Sequence, residues 1–196
     1  SLHDDVLIGS DKDNSFRIEG GNNTVDGGLG TDRINYKTRQ AGGVTVDLDA
    51  GTATNALGGT DTLTSIEDVR GSRFDDVITG DSNDNRLDAG DGDDVIKGGA
   101  GNDRLDGGDG RDLLIGGSGD DLLIGGDEVV AAFDHRNRAD YRDAAGGIDA
   151  KLSASATVTG DSSVGTDTLV RMDHVIGSEF DDVFVADKSF RDVAGG

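Results

Sequence analysis

Along residues 71–124 apolar residues return at every ninth position: Ile78, Leu87, Ile96, Leu105, Leu114 and Leu123. In register the segment reads GSRFDDVIT, GDSNDNRLD, AGDGDDVIK, GGAGNDRLD, GGDGRDLLI and GGSGDDLLI. Each unit leaves three residues for a short strand, and only the middle one points inward because side chains alternate between faces. That middle place is the recurrent Ile or Leu. A single unit buries almost nothing, whereas stacked copies bury a continuous column. The pattern predicts a solenoid of short strands around an apolar ladder.

The polar places define the turns. A glycine or other small residue opens each unit, and Gly92, Gly101, Gly110 and Gly119 stand at the fourth place of the third to sixth units. Glycine reaches positive φ without a Cβ clash, so a GGxG run turns tightly and aims its carbonyls at one point. The sixth place holds Asp76, Asn85, Asp94, Asp103, Asp112 and Asp121. If two units make one coil, same-side carboxylates are 18 residues apart in sequence. They then stack at the strand spacing of about 4.8 Å. Carboxylates that close repel one another unless something neutralises them. With several carbonyls they make the hard-oxygen cage calcium prefers, 6–8 ligands at about 2.3–2.6 Å.

GGAGNDRLD, and GGLGTDRIN at 27–35, match the nonapeptide GGxGxDxUx, so the chain resembles the RTX (repeats-in-toxins) family. The resemblance implies an all-β fold, a parallel β-roll with calcium ions in two rows along its edges, and export of the parent protein by a type I system. It also implies that each ion lies between same-side turns, held by loop carbonyls and the sixth-place side chain. One row would use Asp76, Asp94 and Asp112, the other Asn85, Asp103 and Asp121. The implied loop positions are Gly90, Gly92, Gly98, Gly99, Ala100, Gly101, Gly107, Gly108, Asp109, Gly110, Gly116, Gly117, Ser118 and Gly119. Asn85 departs from the pattern: its amide oxygen can ligate but brings no charge, so a weaker or missing ion is expected there.

The same register runs through the N-terminus, with Leu7, Phe16, Val25 and Ile34 at the eighth place and Asp5, Asn14, Asn23 and Asp32 at the sixth. Two of those four are Asn, and the glycines are eroded in GSDKDNSFR and IEGGNNTVD, so fewer or weaker ions are expected. A solitary late unit, GSEFDDVFV at 177–185, puts Asp182 and Phe184 in the diagnostic places. A longer repeat relates GTDTLTSIEDVRGSRFDDVITGD (59–81) to GTDTLVRMDHVIGSEFDDVFVAD (165–187) at a constant offset of 106. Upstream of its first copy, Val44, Val46 and Leu48 alternate as in a half-buried strand, echoed more weakly by Ile148, Ala150 and Leu152. The expected order is a degenerate roll (1–35), a β-rich linker (36–70), the main roll (71–126), a cap insert with a second β-rich linker (127–176), and the start of a third roll (177–196). Read this way, the chain is a fragment of a longer protein. In DEVVAAFDHRNRADY (127–141) the apolar run fits a short helix or a strand, and Val130 in the next sixth place is expected to end calcium ligation. A cap over the roll is the plainer reading of this insert, a partner-binding segment the other.

Composition sharpens this. Net charge is −22, from 40 acidic and 18 basic residues, with 33 glycines, 33% hydrophobic and 4% aromatic residues. That is thin material for an ordinary core, so without cations the chain is expected to be largely disordered. Calcium affinity and folding are then linked. The acidity and the lack of a basic stripe in the sequence argue against nucleic acid. With no Cys there are no disulfides or thiolate metal sites. No stretch is apolar enough to cross a membrane. HExxH and GxSxG are absent, and His3, His135 and His174 are scattered. Carboxylate pairs such as Asp75–Asp76 recur along the repeat, at Asp93–Asp94 and Asp120–Asp121, as an active site does not, so no enzyme is expected.

The reading is a calcium-binding module of a secreted, extracellular protein. It folds on calcium outside the cell, is monomeric as a fragment, and has calcium and the rest of its parent as partners. The alternative is a glycan- or surface-binding module of an adhesin or polysaccharide-modifying enzyme, with Tyr36, Tyr141 and the Arg136–Arg138 segment as the candidate patch.

Overall fold

Short strands dominate the chain, as the nine-residue period requires. The structure, a computed structural model, describes residues 2–37, 41–55, 57–126, 136–152 and 155–186. The N-terminal units form β1 (Val6–Ile8), β2 (Ser15–Arg17), β3 (Thr24–Asp26) and β4 (Arg33–Asn35). The first linker gives β5 (Thr45–Asp47), β6 (Thr52–Thr54), β7 (Thr60–Thr64) and β8 (Asp68–Arg70). The repeat gives β9 (Val77–Thr79), β10 (Arg86–Asp91), β11 (Val95–Ala100), β12 (Arg104–Asp109), β13 (Leu113–Ser118) and β14 (Leu122–Ile124). Then follow β15 (Arg138–Asp140), β16 (Asp149–Leu152), β17 (Ser155–Thr159), β18 (Thr166–Val170), β19 (His174–Ile176) and β20 (Val183–Ala186).

In the repeat, successive strands alternate between two sheets, and parallel neighbours on one sheet pair Leu87 with Leu105 and Ile96 with Ile78 and Leu114. Two units therefore make one coil. Ile78, Leu87, Ile96, Leu105, Leu114 and Leu123 are all 0% exposed, as are Val25 and Ile34; Leu7, Phe16 and Phe184 are partly buried against the same core. β10 to β13 are longer than the expected three residues because the ladder continues through the glycines, pairing Gly90 with Gly108 and Gly99 with Gly117. Gly108 sits at φ +98, and a Cβ there would lie 2.0 Å from the carbonyl oxygen of Gly90. Only glycine permits that approach.

The linkers do not interrupt the sheets. β8 pairs in parallel with both β4 and β10, and β7 with β3. β7, β6 and β5 form an antiparallel meander whose last strand pairs in parallel with β9. The second linker repeats this arrangement with β18, β17, β16 and β20, on the other sheet. Among the described residues eight strands, β8 to β15, lie between the two meanders and alternate between the sheets, and this even number puts the second meander on the opposite face. Each face thereby reaches ten strands. Val44 and Val46 are buried and Leu48 partly so, while Ile148, Ala150 and Leu152 are each 1% exposed, a fuller burial than their weak alternation implies. The apolar run at 127–135 and the last ten residues, 187–196, lie outside the described residues.

Candidate metal site in the turns

Each sixth-place side chain of the main repeat is buried at a sheet edge, just before its strand, and reaches across to the preceding coil. The main-chain N–H of Asp76 donates to Oδ1 of Asp94 (2.7 Å), and that of Asp94 to Oδ1 of Asp112 (3.0 Å). On the other edge the N–H of Asn85 donates to Oδ1 of Asp103 and the N–H of Asp103 to Oδ1 of Asp121, both at 2.8 Å. In the N-terminal block the N–H of Asp5 donates to Oδ1 of Asn23 (3.1 Å) and that of Asn14 to Oδ1 of Asp32 (2.6 Å). The stacking thus gathers one such side chain per coil along each edge.

The second polar atom separates two kinds of turn. Oδ2 of Asp32, Asp94, Asp103 and Asp121 is buried without a hydrogen-bond partner. At Asp103 and Asp121 it lies over the glycine that opens the unit; a Cβ on Gly98 or Gly116 would meet it at 2.3 Å. These turns are open: an anionic oxygen is withdrawn from water with nothing to neutralise it, which is costly. Other turns are closed by the protein. Oδ2 of Asp76 accepts the Ser72 N–H (2.6 Å), while its Oδ1 accepts the Ser72 hydroxyl (2.8 Å) and the Val44 N–H (2.7 Å). Oδ1 of Asp182 likewise accepts the Ser178 hydroxyl (2.6 Å) and the Ile148 N–H (2.9 Å). Asn23 and Asn85 turn an amide N–H onto the carbonyls of Gly20 (3.1 Å) and Glu67 (3.3 Å). The Asn14 amide is bonded to Ser10.

A family model of the RTX calcium-binding nonapeptide repeat, in four copies, matches residues 1–34, 64–96 and 97–128, just over half of the chain. The chain belongs to the RTX repeat family. No curated protein matches it. RTX repeats bind calcium ions in their turns, and the open turns here fit that ion: a hard carboxylate oxygen lies beside a glycine-rich main chain. Among the described residues no three or more Asp, Glu, His or Cys side chains converge as a metal cluster. Calcium also accepts main-chain carbonyl oxygens as ligands.

Burial raises the carboxyl of Asp94 to about 8, that of Asp103 to about 7 and that of Asp121 to about 6. A main-chain N–H bond partly offsets each shift, and neighbouring carboxylates add to it. A proton or a cation relieves the same penalty.

Five residues outside the expected ligand set complete the rows. Asp61 accepts the N–H of Asn23 (3.0 Å), Glu67 that of Asp32 (2.8 Å) and Asn137 that of Asp112 (2.8 Å). Asp167 accepts the N–H of Asp121 and Asp173 that of Asn137, both at 3.1 Å. The hydrogen-bonded row continues past Asp112 at Asn137, 25 residues on instead of 18. Val130 itself lies outside the described residues. A signal was present, because Asn137-Arg138-Ala139-Asp140-Tyr141 follows the pattern of Asp32-Arg33-Ile34-Asn35-Tyr36. Tyr36 and Tyr141, candidates for an exposed patch, are instead 0% and 4% exposed.

Proposed function

We propose that this chain is a calcium-dependent folding module of a secreted protein, disordered in its main roll at low cytosolic calcium and folded once outside the cell. The observation that carries this reading is the set of buried, unpartnered carboxylate oxygens at Asp32, Asp94, Asp103 and Asp121. Without a cation those oxygens oppose folding; with one they join consecutive coils. Asp32, Asp94, Asp103, Asp112 and Asp121 serve as side-chain ligands, joined by main-chain carbonyls of the glycine-rich loops. Asp76, Asp182, Asn14, Asn23 and Asn85, already bonded within the protein, contribute less or nothing; Asp5 begins its row in the degenerate block. Bound calcium supplies positive charge between stacked turns. Extracellular modules bind it with a Kd of about 10⁻⁴–10⁻³ M, which suits an export switch. The module carries no catalytic role, and its fold supports secretion and stability of the parent protein. No helix among the described residues is long and apolar enough to cross a membrane.

The test is a calcium titration of the chelator-stripped chain followed by far-UV circular dichroism, with magnesium as control. A cooperative coil-to-β transition in calcium alone is expected. A chain fully β-structured in chelator and unmoved by calcium would overturn the switch.

One observation favours a second reading, attachment to an acidic glycan. Arg17, Arg33, Arg70, Arg86 and Arg104 lie on β2, β4, β8, β10 and β12, five consecutive strands of one sheet. Stacking puts one arginine on each of these strands, Arg33, Arg86 and Arg104 in one register row with Asp68, and Arg17 and Arg70 in the other with Asn35 and Asp88. Three of these arginines are paired, Arg33 with Asp68 (2.6 Å), Arg70 with Asp88 (3.7 Å) and Arg104 with Asp106 (3.0 Å). The buried tyrosines take no part. Retention of the calcium-loaded chain on an immobilised sulfated glycan, weakened by Arg86→Ala, is the expected result; passage without retention would end this reading.

A further inference from the structure

Both linkers close a roll with the same pair of side chains. In the first, the Tyr36 hydroxyl donates to Oδ2 of Asp61 at 3.0 Å, while Oδ1 of Asp61 accepts the N–H of Asn23 at 3.0 Å. In the second, the Tyr141 hydroxyl donates to Oδ2 of Asp167 at 2.8 Å, while Oδ1 of Asp167 accepts the N–H of Asp121 at 3.1 Å. Asp61 and Asp167 are 0% exposed. Each holds the row position of a sixth-place aspartate and makes the same Oδ1 bond to the preceding coil. The difference lies at Oδ2. In the open turns that oxygen has no partner; here a phenol O–H meets it.

The opposite boundary of each linker is closed too. Asp76 is bonded to Ser72 and to the Val44 N–H, and Asp182 to Ser178 and the Ile148 N–H. On the edge that carries Asp61 and Asp76 the first linker therefore lies between closed turns, while on the other edge the open Asp32 gives its N–H to Glu67; the open turns of Asp94, Asp103 and Asp121 fall between the two linkers. The linkers also hold the more ordinary cores: Val44, Val46, Ala53, Leu63, Ile66 and Val69 are buried in the first. Their antiparallel meanders join strands close in sequence, so little chain entropy opposes their formation.

We propose that Tyr36 and Tyr141 are built-in substitutes for the calcium ion, so that the two linkers fold without calcium and act as end plates on which the calcium-requiring coils stack. This rests on the reading that calcium fills the open turns. A neutral O–H cannot cancel a full charge, but it satisfies the oxygen that would otherwise be buried without a partner. A roll anchored at both ends begins from an existing edge, and only the middle coils wait for the ion.

The chain offers its own probe, since Tyr36 and Tyr141 are its only two tyrosines and it has no tryptophan. On the full chain at neutral pH, acrylamide quenching of tyrosine fluorescence is measured in chelator and in calcium, alongside hydrogen exchange. In chelator both tyrosines should resist quenching. The amides of β5 to β8 and β16 to β19 should stay protected while those of β10 to β13 exchange freely, and calcium should add protection chiefly to the latter. Tyrosines fully quenched in chelator and shielded only by calcium would overturn the proposal, leaving calcium-driven folding intact. Protection everywhere in chelator would instead sink the switch itself, and with it the division between plates and coils. Tyr141→Phe keeps the ring and strips Asp167 of its donor. In chelator the second linker should then exchange about tenfold faster, as expected for one buried oxygen left unsatisfied, and calcium should restore it because the turn is now open. A variant that calcium does not restore would show that Tyr141 does not stand in for the ion.

Discussion

Asp103 and Asn85 occupy one row yet present different chemistry. Asp103 carries a buried oxygen with no partner, whereas the Asn85 amide is bonded to the Glu67 carbonyl at 3.3 Å. Asp103→Ala is therefore expected to raise the calcium midpoint of folding more than Asn85→Ala; equal midpoints would refute the row. Protons act on the same atoms. The carboxyls of Asp94, Asp103 and Asp121 stand at about 8, 7 and 6 in the fold, against about 3.9 unfolded. The folded state thus binds protons more tightly across this window, and calcium-free stability falls as pH rises from about 4 to 8. Acidifying the chelated chain from pH 8 to about 5 is expected to increase its β-sheet signal. Calcium affinity should weaken in the same direction, because ion and proton compete. A β signal that drops on acidification would contradict the burial of these carboxyls.

At the scale of the strand, the ladder residue matters more than its outward neighbour. Leu105 is 0% exposed and lies in register between Leu87 and Leu123. Leu105→Ala is expected to cost about 2–5 kcal/mol, the range for a buried leucine that leaves a cavity. Val77, 43% exposed on β9, should tolerate alanine within about 0.5 kcal/mol. Urea unfolding in saturating calcium compares the two, and equal losses would misplace the inward side. Strand and turn are coupled, since a coil weakened at Leu105 holds its ion less well. The same variant should therefore need more calcium to fold.

For the whole molecule the question is whether net charge or particular turns govern folding. A net charge of −22 creates surface repulsion that salt screens, with a Debye length of about 3 Å at 1 M. The oxygens of Asp94, Asp103 and Asp121 are buried beyond such screening. Sodium chloride at about 1 M should therefore leave the chelated main roll unfolded, as circular dichroism would show. Full recovery in sodium chloride alone would assign control to net charge.

The nine-residue period, the inward residues and the two-unit coil were legible in the sequence because they depend on local sterics: glycine at positive φ and strand alternation. The calcium chemistry was legible for the same reason, since it recurs in every unit. Only the tertiary structure decided which carboxylates are open. Ser72 and Val44 close Asp76, the latter from 32 residues away, and Tyr36 and Tyr141 reach their aspartates across 25 and 26 residues. Asn137 rejoins its row after an insertion, and Asp167 caps Asp121 from 46 residues away. Such partners are set by how linkers and insertions bring coils together, and an 18-residue spacing carries no information about separations outside its own period.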